Sequence, residues 1–238
     1  MTAVHDLATT RRWMDQGARI FSGALARTGD DALAAPTALP GWTGRHLVAH
    51  VAANAEALLN LAHWARTGQE TPMYSSPGQR DADIRTGARR PPAELRREAE
   101  ESAGRLATAL DGLSDEQWSR SVRTAQGRHV PASEIPWLRA REVMVHAVDL
   151  DPALRFVNLP EDFLLALADD VVAKRTGTDG PALVLSADSG RHTWKVPGRG
   201  EPTELHGSLG AVTAYLTGRP GADVTAASGA VPDLPPWL

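Results

Sequence analysis

The sequence contains no cysteine among its 238 residues. This absence excludes disulfides, iron–sulfur clusters and metal sites built from thiolates. It also means that a reaction needing a thiol nucleophile must take that thiol from a small molecule. Tryptophan, by contrast, occurs seven times. We interpret the tryptophans as packing residues, because no stripe of basic residues accompanies them, as a base-stacking surface would require.

A strong charge of either sign and long apolar runs are also missing. Lys and Arg number 25 and Asp and Glu 29, which leaves a net charge of −4. Such a chain has no field that would recruit nucleic acid. No apolar stretch approaches the roughly 18 residues of a membrane span, and the N-terminus lacks the apolar core of a signal peptide. We therefore expect a cytoplasmic protein with neither nucleic acid nor membrane as a partner.

The first 150 residues have the apolar periodicity of helices. Capping residues and prolines predict four helices. The first covers about Asp6–Arg27, and the second runs from a cap at Thr43 to about Ala65. The third begins at Pro91-Pro92, and the fourth runs from a cap at Ser133 to just before Asp151-Pro152. Between the second and third helices, Gly68–Arg90 shows little periodicity and is predicted to be a long ordered loop. Four helices of about 20 residues predict a four-helix bundle.

The remaining residues show a different pattern, in which short strands accompany two helices. Helices are predicted at Asp162–Arg175 and Ser208–Thr217, and strands at Ala182–Ala187, His192–Val196, Thr203–Gly207 and Val224–Ala227. The expected fold class is α+β. We expect a helical bundle over residues 1–155 and a small α/β C-terminal domain over residues 156–238.

Two histidines and a glutamate form a candidate metal site. Glu142 and His146 are four residues apart on the fourth predicted helix, which places both on one face. His50 lies midway along the second helix, and bundles build metal sites from side chains that project inward from facing helices. Two histidines and a carboxylate are the ligand set of a catalytic zinc site. His46 lies four residues before His50, so spacing alone leaves the choice between them open.

Two arginines stand apart from the predicted helices. Arg80 lies in the predicted loop, and Arg219 follows Thr217-Gly218 at the end of the short C-terminal helix. Arginine is the natural bidentate partner of a carboxylate. Taken alone, each residue is better explained as a solvated surface arginine, as most arginines are.

Several segments resemble a known family. They are GWTGRHLVAHVAANAEALLNLAHWARTG, ETPMYSSPGQRDADI, TAQGRHVPASEIPWLRAREVMVHAVDL and the terminal VPDLPPWL. Together they resemble the mycothiol-dependent maleylpyruvate isomerases of the DinB-like, thiol-dependent metalloenzyme superfamily. The resemblance runs over essentially the whole chain. It implies a DinB-like four-helix bundle, followed by an α/β domain that contributes to the active-site cleft.

The resemblance also implies site residues and cofactors. The family's zinc ligands fall on His50, Glu142 and His146, which favours His50 over His46. Active-site arginines, expected to serve both catalysis and cofactor binding, fall on Arg219 and Arg80. The implied cofactors are zinc, or another divalent metal, and mycothiol.

The implied reaction converts maleylpyruvate to fumarylpyruvate in gentisate catabolism, a cis–trans change about a conjugated double bond. A thiolate adds to the alkene, the resulting enolate rotates about a single bond, and elimination returns the trans product. Zinc can bind the thiol and lower its pKa. The substrate is a dicarboxylate, which suits Arg80 and Arg219, and one of them could stabilise the enolate.

Other functions stay open at this point. A thiol S-transferase of the same superfamily would use the same metal and thiol on a different electrophile. An isomerase that uses another low-molecular-weight thiol is a second alternative. A non-catalytic metal-binding or regulatory module would need a closed site with a fourth protein ligand, for which His46 or Asp149 could be proposed.

Overall fold

The computed structural model describes residues 5–76, 78–219, 222–227 and 229–235. It divides the chain into two units, His5–Pro152 and Ala153–Leu238. The last three residues of the VPDLPPWL segment lie outside the described residues.

The first unit is helical. Its helices are α1 (Leu7–Arg27), α2 (Asp30–Ala34), α3 (Gly44–Thr67), α4 (Gln79–Gly87), α5 (Pro92–Asp111), α6 (Asp115–Ser119) and α7 (Ile135–Leu150). The four long helices form a bundle in which α1 packs on α7 and α3 packs on both α5 and α7. A short antiparallel hairpin, β1 (Ser121–Arg123) and β2 (His129–Pro131), precedes α7. The predicted four-helix bundle is confirmed.

Helix starts follow the capping residues in two of the long helices. The side chain of Asp6 accepts a hydrogen bond from the Thr9 amide and caps α1. Thr43 and His46 form a reciprocal capping box at the start of α3. The predicted cap at Ser133 is wrong, because that residue lies inside a 3-10 turn and α7 begins only afterwards.

The predicted loop Gly68–Arg90 is wrong in part, because it contains helix α4. The nine residues of α4 include four charged ones, and within α4 only Ile84 and Gly87 are buried. A sequence pattern with so little apolar content carries almost no helical signal. Helix α4 is held by close packing on α3. A Cβ added at Gly87 would come within 2.8 Å of the Ala49 Cβ, so the missing side chain of glycine allows this approach. Arg80 therefore lies in the first turn of a helix.

The bundle core combines large side chains with one close backbone approach. Trp137, Leu47, Leu58 and Met144 are among its largest fully buried side chains. Gly17 lets α1 approach α7, since a Cβ there would lie 2.5 Å from the Val143 side chain. Among the described residues, no helix combines the length and apolar character needed to cross a membrane.

The second unit joins two helices to a four-stranded sheet. Its elements are α8 (Glu161–Arg175), β3 (Pro181–Ala187), β4 (His192–Val196), β5 (Arg199–Gly207), α9 (Leu209–Leu216) and β6 (Thr225–Ala226). The strand order is β4-β3-β5-β6, with β3 parallel to β5 and the other two pairs antiparallel. The α+β fold class is confirmed.

Candidate metal centre

Three side chains from two packed helices converge at one point of the helical unit. His50 lies on α3, and Glu142 and His146 lie on α7. Glu142 Oε2 is 2.9 Å from His50 Nε2 and 3.3 Å from His146 Nε2. Ligand atoms around a tetrahedral zinc with bonds of about 2.0–2.1 Å are separated by about 3.3 Å. The three donor atoms therefore fit around one metal ion.

A buried arginine ties the two helices together beside these ligands. Arg139 lies one turn before Glu142 on α7 and is 3 % exposed. Its guanidinium donates to the Val51 carbonyl at 2.7 Å and to Asn54 Oδ1 at 2.8 Å, both on α3. Burial lowers the pKa of Arg139 to about 10, which still leaves the group charged at neutral pH. The contacts set α7 against α3 at the level of His50.

Asp149 holds His146 from outside the ligand set. Its Oδ2 lies 2.8 Å from His146 Nδ1 and its side chain is 2 % exposed. A carboxylate on Nδ1 keeps the proton on that nitrogen and leaves the Nε2 lone pair for a metal. His46 is also outside the set, because its Nδ1 lies 2.8 Å from Thr43 Oγ1 at the start of α3. Within the part of the chain that the structure describes, the cluster comprises His50, Glu142 and His146 alone.

Two of the three groups, Glu142 and His50, have the protonation state that a cation needs. Burial alone would raise the pKa of Glu142, but hydrogen bonds from His146 and His50 hold it well below its ordinary range. Burial lowers the pKa of His50, so that ring is neutral. Burial also acts to lower the pKa of His146, but the hydrogen bonds to Asp149 and Glu142 raise it overall. The site thus offers the carboxylate that a metal needs, and the negative charges around His146 attract a cation.

An aromatic and a cationic side chain lie beside His50. The Trp42 ring is centred 5.3 Å from the His50 ring, and the Arg80 guanidinium lies over Trp42 at 5.8 Å. Burial raises the pKa of Tyr74 to about 12, with the charges of Arg80 and Glu142 also acting on it. The structure therefore brings Arg80 near the candidate metal ligands. Sequence reasoning missed Tyr74, although tyrosine occurs only twice in the chain.

Arg219 lies in the other unit, just after α9. Gly218 has a φ of +71°, and Arg219 N donates to the Ala214 carbonyl at 3.0 Å. The guanidinium donates to the Thr217 carbonyl at 2.8 Å. Within its own unit the residue thus helps to close the C-terminal end of α9, where a cation is favourable.

Comparisons with known proteins match both halves of the chain. The family model described as the mycothiol maleylpyruvate isomerase N-terminal domain matches residues 14–151, and the model described as the MDMPI C-terminal domain matches residues 158–236. No curated protein sequence matches significantly.

Solved structures show the same relationship. A crystal structure of the mycothiol-dependent maleylpyruvate isomerase is 40 % identical, with 98 % of each chain covered and a TM-score of 0.92. A histidine-to-alanine mutant of such an enzyme is 39 % identical over 98 % of each chain, with a TM-score of 0.93. YfiT from Bacillus subtilis, described as having an unusual four-helix bundle topology, shares the fold at 18 % identity, with a TM-score of 0.52 over 63 % of this chain and 87 % of its own. The chain belongs to the mycothiol maleylpyruvate isomerase family.

Proposed function

We propose that this chain is a mycothiol-dependent maleylpyruvate isomerase with one zinc ion on His50, Glu142 and His146. One observation carries the proposal. The chain is 40 % identical to a crystallised enzyme of that activity over 98 % of both chains. The convergence of three metal-ligand atoms within 4.8 Å of one another supports the metal part of the proposal independently.

The chain's own residues have separate tasks at this site. Two imidazoles and a carboxylate hold the metal and leave a coordination position open, and Asp149 orients His146. A zinc ion bound there would lower the pKa of a thiol ligand to the neutral range. Because the chain contains no cysteine, that thiol has to come from a cofactor.

Two arginines are proposed to bind the dicarboxylate substrate and the thiol cofactor. The proximity of Arg80 to Trp42, which itself contacts His50, supports a role at the metal site. Arg219 is proposed from the family pattern Tyr-x-x-Gly-Arg, with the C-terminal domain of residues 156–238 supplying it to the active-site cleft. A guanidinium in such a cleft would bind a carboxylate and stabilise enolate charge. A cytoplasmic location stays a prediction.

The test is the conversion of maleylpyruvate to fumarylpyruvate by zinc-loaded protein, with and without mycothiol. We expect isomerisation only when the thiol is present. Full turnover in thiol-free buffer after exhaustive dialysis would refute the mechanism. Parallel reactions with glutathione identify an enzyme that uses another thiol. Accumulation of a stable thiol conjugate in place of fumarylpyruvate would instead indicate an S-transferase.

A further inference from the structure

A cavity of about 540 Å³ lies between α3, α4 and α5 in the helical unit. Its α3 wall extends from Ala49, next to His50, to Asn60, a length of about 16 Å at 1.5 Å per residue. Tyr74 also lines the cavity. Because Ala49 in the wall directly precedes His50 in the chain, the cavity begins beside the candidate metal centre, and its volume is that of a small-molecule site.

The walls of the cavity combine small apolar side chains with hydrogen-bonding groups. On α3, Ala53 and Ala57 leave room for a ligand and present methyl groups to it. On the α4 side, Ser75 Oγ donates to Gln79 Oε1 at 3.0 Å, and Gln79 Nε2 donates to Asp83 Oδ1 at 2.7 Å. A hydroxyl-rich ring has the matching properties, because its ring carbons are apolar and its hydroxyl groups both donate and accept.

The charges around the cavity disfavour anions. Glu56, Asp83 and Glu98 line it, with Arg90 as the cation among the described lining residues. Arg90 pairs with Glu98 at 3.2 Å, and Arg105, behind the wall, pairs with Glu56 at 2.7 Å and Glu98 at 3.0 Å. Even with Arg105 included, three carboxylates face two guanidinium groups. The cavity is therefore unsuited to a dicarboxylate substrate, and it also disfavours an anionic thiol such as glutathione.

We propose that this cavity binds the uncharged, hydroxyl-rich part of the thiol cofactor, while the sulfur extends past Tyr74 to the metal. In mycothiol that part is a glucosaminyl-inositol, which is joined to the cysteine through an amide. The acidic lining then selects this thiol against anionic ones. The inference rests on the proposed function, because it assumes that a thiol cofactor is used.

The first experiment measures binding of N-acetyl-glucosaminyl-inositol by isothermal titration calorimetry. The acetyl group replaces the cysteine and keeps the amide, so the probe is uncharged. Because this probe has no thiol, the metal-free and the zinc-loaded protein should bind it equally. Ala82→Leu places a larger side chain in the cavity from α4 and should weaken binding by at least about tenfold. Gln79→Ala removes one hydrogen-bonding partner and should weaken binding about threefold to tenfold. Ala93→Leu, an exposed position on α5 outside the cavity, should leave binding unchanged.

The second experiment tests the charge of the cavity. Asp83→Asn keeps an acceptor oxygen for Gln79 but removes one negative charge. A unit charge about 7 Å away in water changes binding of a monoanion by about threefold. The dissociation constant for glutathione should therefore fall by about threefold, while that for the uncharged probe should change little. An unchanged preference between the two ligands would contradict the proposed selection by charge.

The outcomes separate this inference from the proposed function. Suppose that the wild-type protein isomerises maleylpyruvate with mycothiol. If the probe then fails to bind, or binds the Ala82→Leu and Gln79→Ala variants as well as it binds wild type, the cavity assignment is overturned and the proposed function stands. If mycothiol does not support isomerisation, the proposed function fails. Loss of probe binding in both variants would then still assign the cavity to a hydroxyl-rich ligand.

Discussion

Replacing Asp149 with Asn should weaken zinc binding without removing a metal ligand. The Asp149 carboxylate lies 2.8 Å from His146 Nδ1 and its side chain is 2 % exposed. Asn keeps the shape and an acceptor oxygen but makes a neutral hydrogen bond. A charged hydrogen bond contributes about 1.5–3 kcal/mol and a neutral one about 0.5–1.5 kcal/mol. The difference of about 1–2 kcal/mol corresponds to about a 5- to 30-fold loss of zinc affinity, which overlaps the roughly 10- to 100-fold losses typical for partners of metal-bound histidines.

The assay is a competition for zinc between the protein and a coloured chelator at fixed pH. Asp151→Asn is the matched control, since Asp151 is a nearby buried carboxylate that pairs with Arg27 at 2.8 Å. That variant should lose stability in thermal unfolding but keep its zinc affinity. If Asp149→Asn binds zinc within about twofold of wild type, Asp149 does not orient the ligand. If both variants lose affinity equally, the loss reflects general destabilisation.

Three further predictions concern the metal, the substrate and the tyrosines. His50→Ala should abolish stoichiometric zinc binding, measured by elemental analysis after dialysis, and undiminished metal content would refute the ligand assignment. Arg219→Ala should lower turnover by on the order of 10²-fold with metal content unchanged. Arg219→Lys should restore little activity, because Lys lacks the planar two-donor fork. Near-normal turnover by Arg219→Ala at saturating thiol would indicate a structural arginine. Burial raises the pKa of both Tyr74 and Tyr215 to about 12, above the value of about 10 in an unfolded chain. The stability gained from the neutral phenols is therefore complete below pH about 10 and is lost as the pH rises toward 12. Tyrosinate absorbance should appear only near pH 12 or together with unfolding. Ionisation of these tyrosines near pH 10 in the folded protein would contradict the prediction.

The fold class could be predicted because strong local signals mark the elements that form it. Asp6 and Thr43 cap α1 and α3, and the proline after Asp151 follows the end of α7. These signals act within a few residues and do not depend on distant contacts. Helix α4 gave no such signal, because it carries four charged residues and forms only by packing Ile84 and Gly87 inside the unit.

The candidate site likewise has features that the sequence alone shows and features that only the structure shows. The spacing of Glu142 and His146 on one helix face is a property of the sequence alone, since four residues make about one turn. The absence of cysteine, and with it the need for an external thiol in this chemistry, is equally a property of the sequence. The choice of His50 over His46 came from the family resemblance, because both histidines have helical spacing on α3.

Only the tertiary structure decided which side chains surround those ligands. Asp149 could have been a fourth ligand by sequence, but in the structure it hydrogen-bonds to Nδ1 of His146, three residues earlier on the same helix. Arg80 and Tyr74 lie more than 60 residues before Glu142 in the chain, and only the folding of α4 against α3 brings them near it. Hydrogen bonds, burial and cavities between helices depend on contacts distant in sequence, and no local pattern encodes them. The sequence by itself thus determined the four long helices, the candidate ligand types and the absence of a protein thiol, whereas packing decided how α3 and α7 bring the candidate ligands together and which cavity lies beside them.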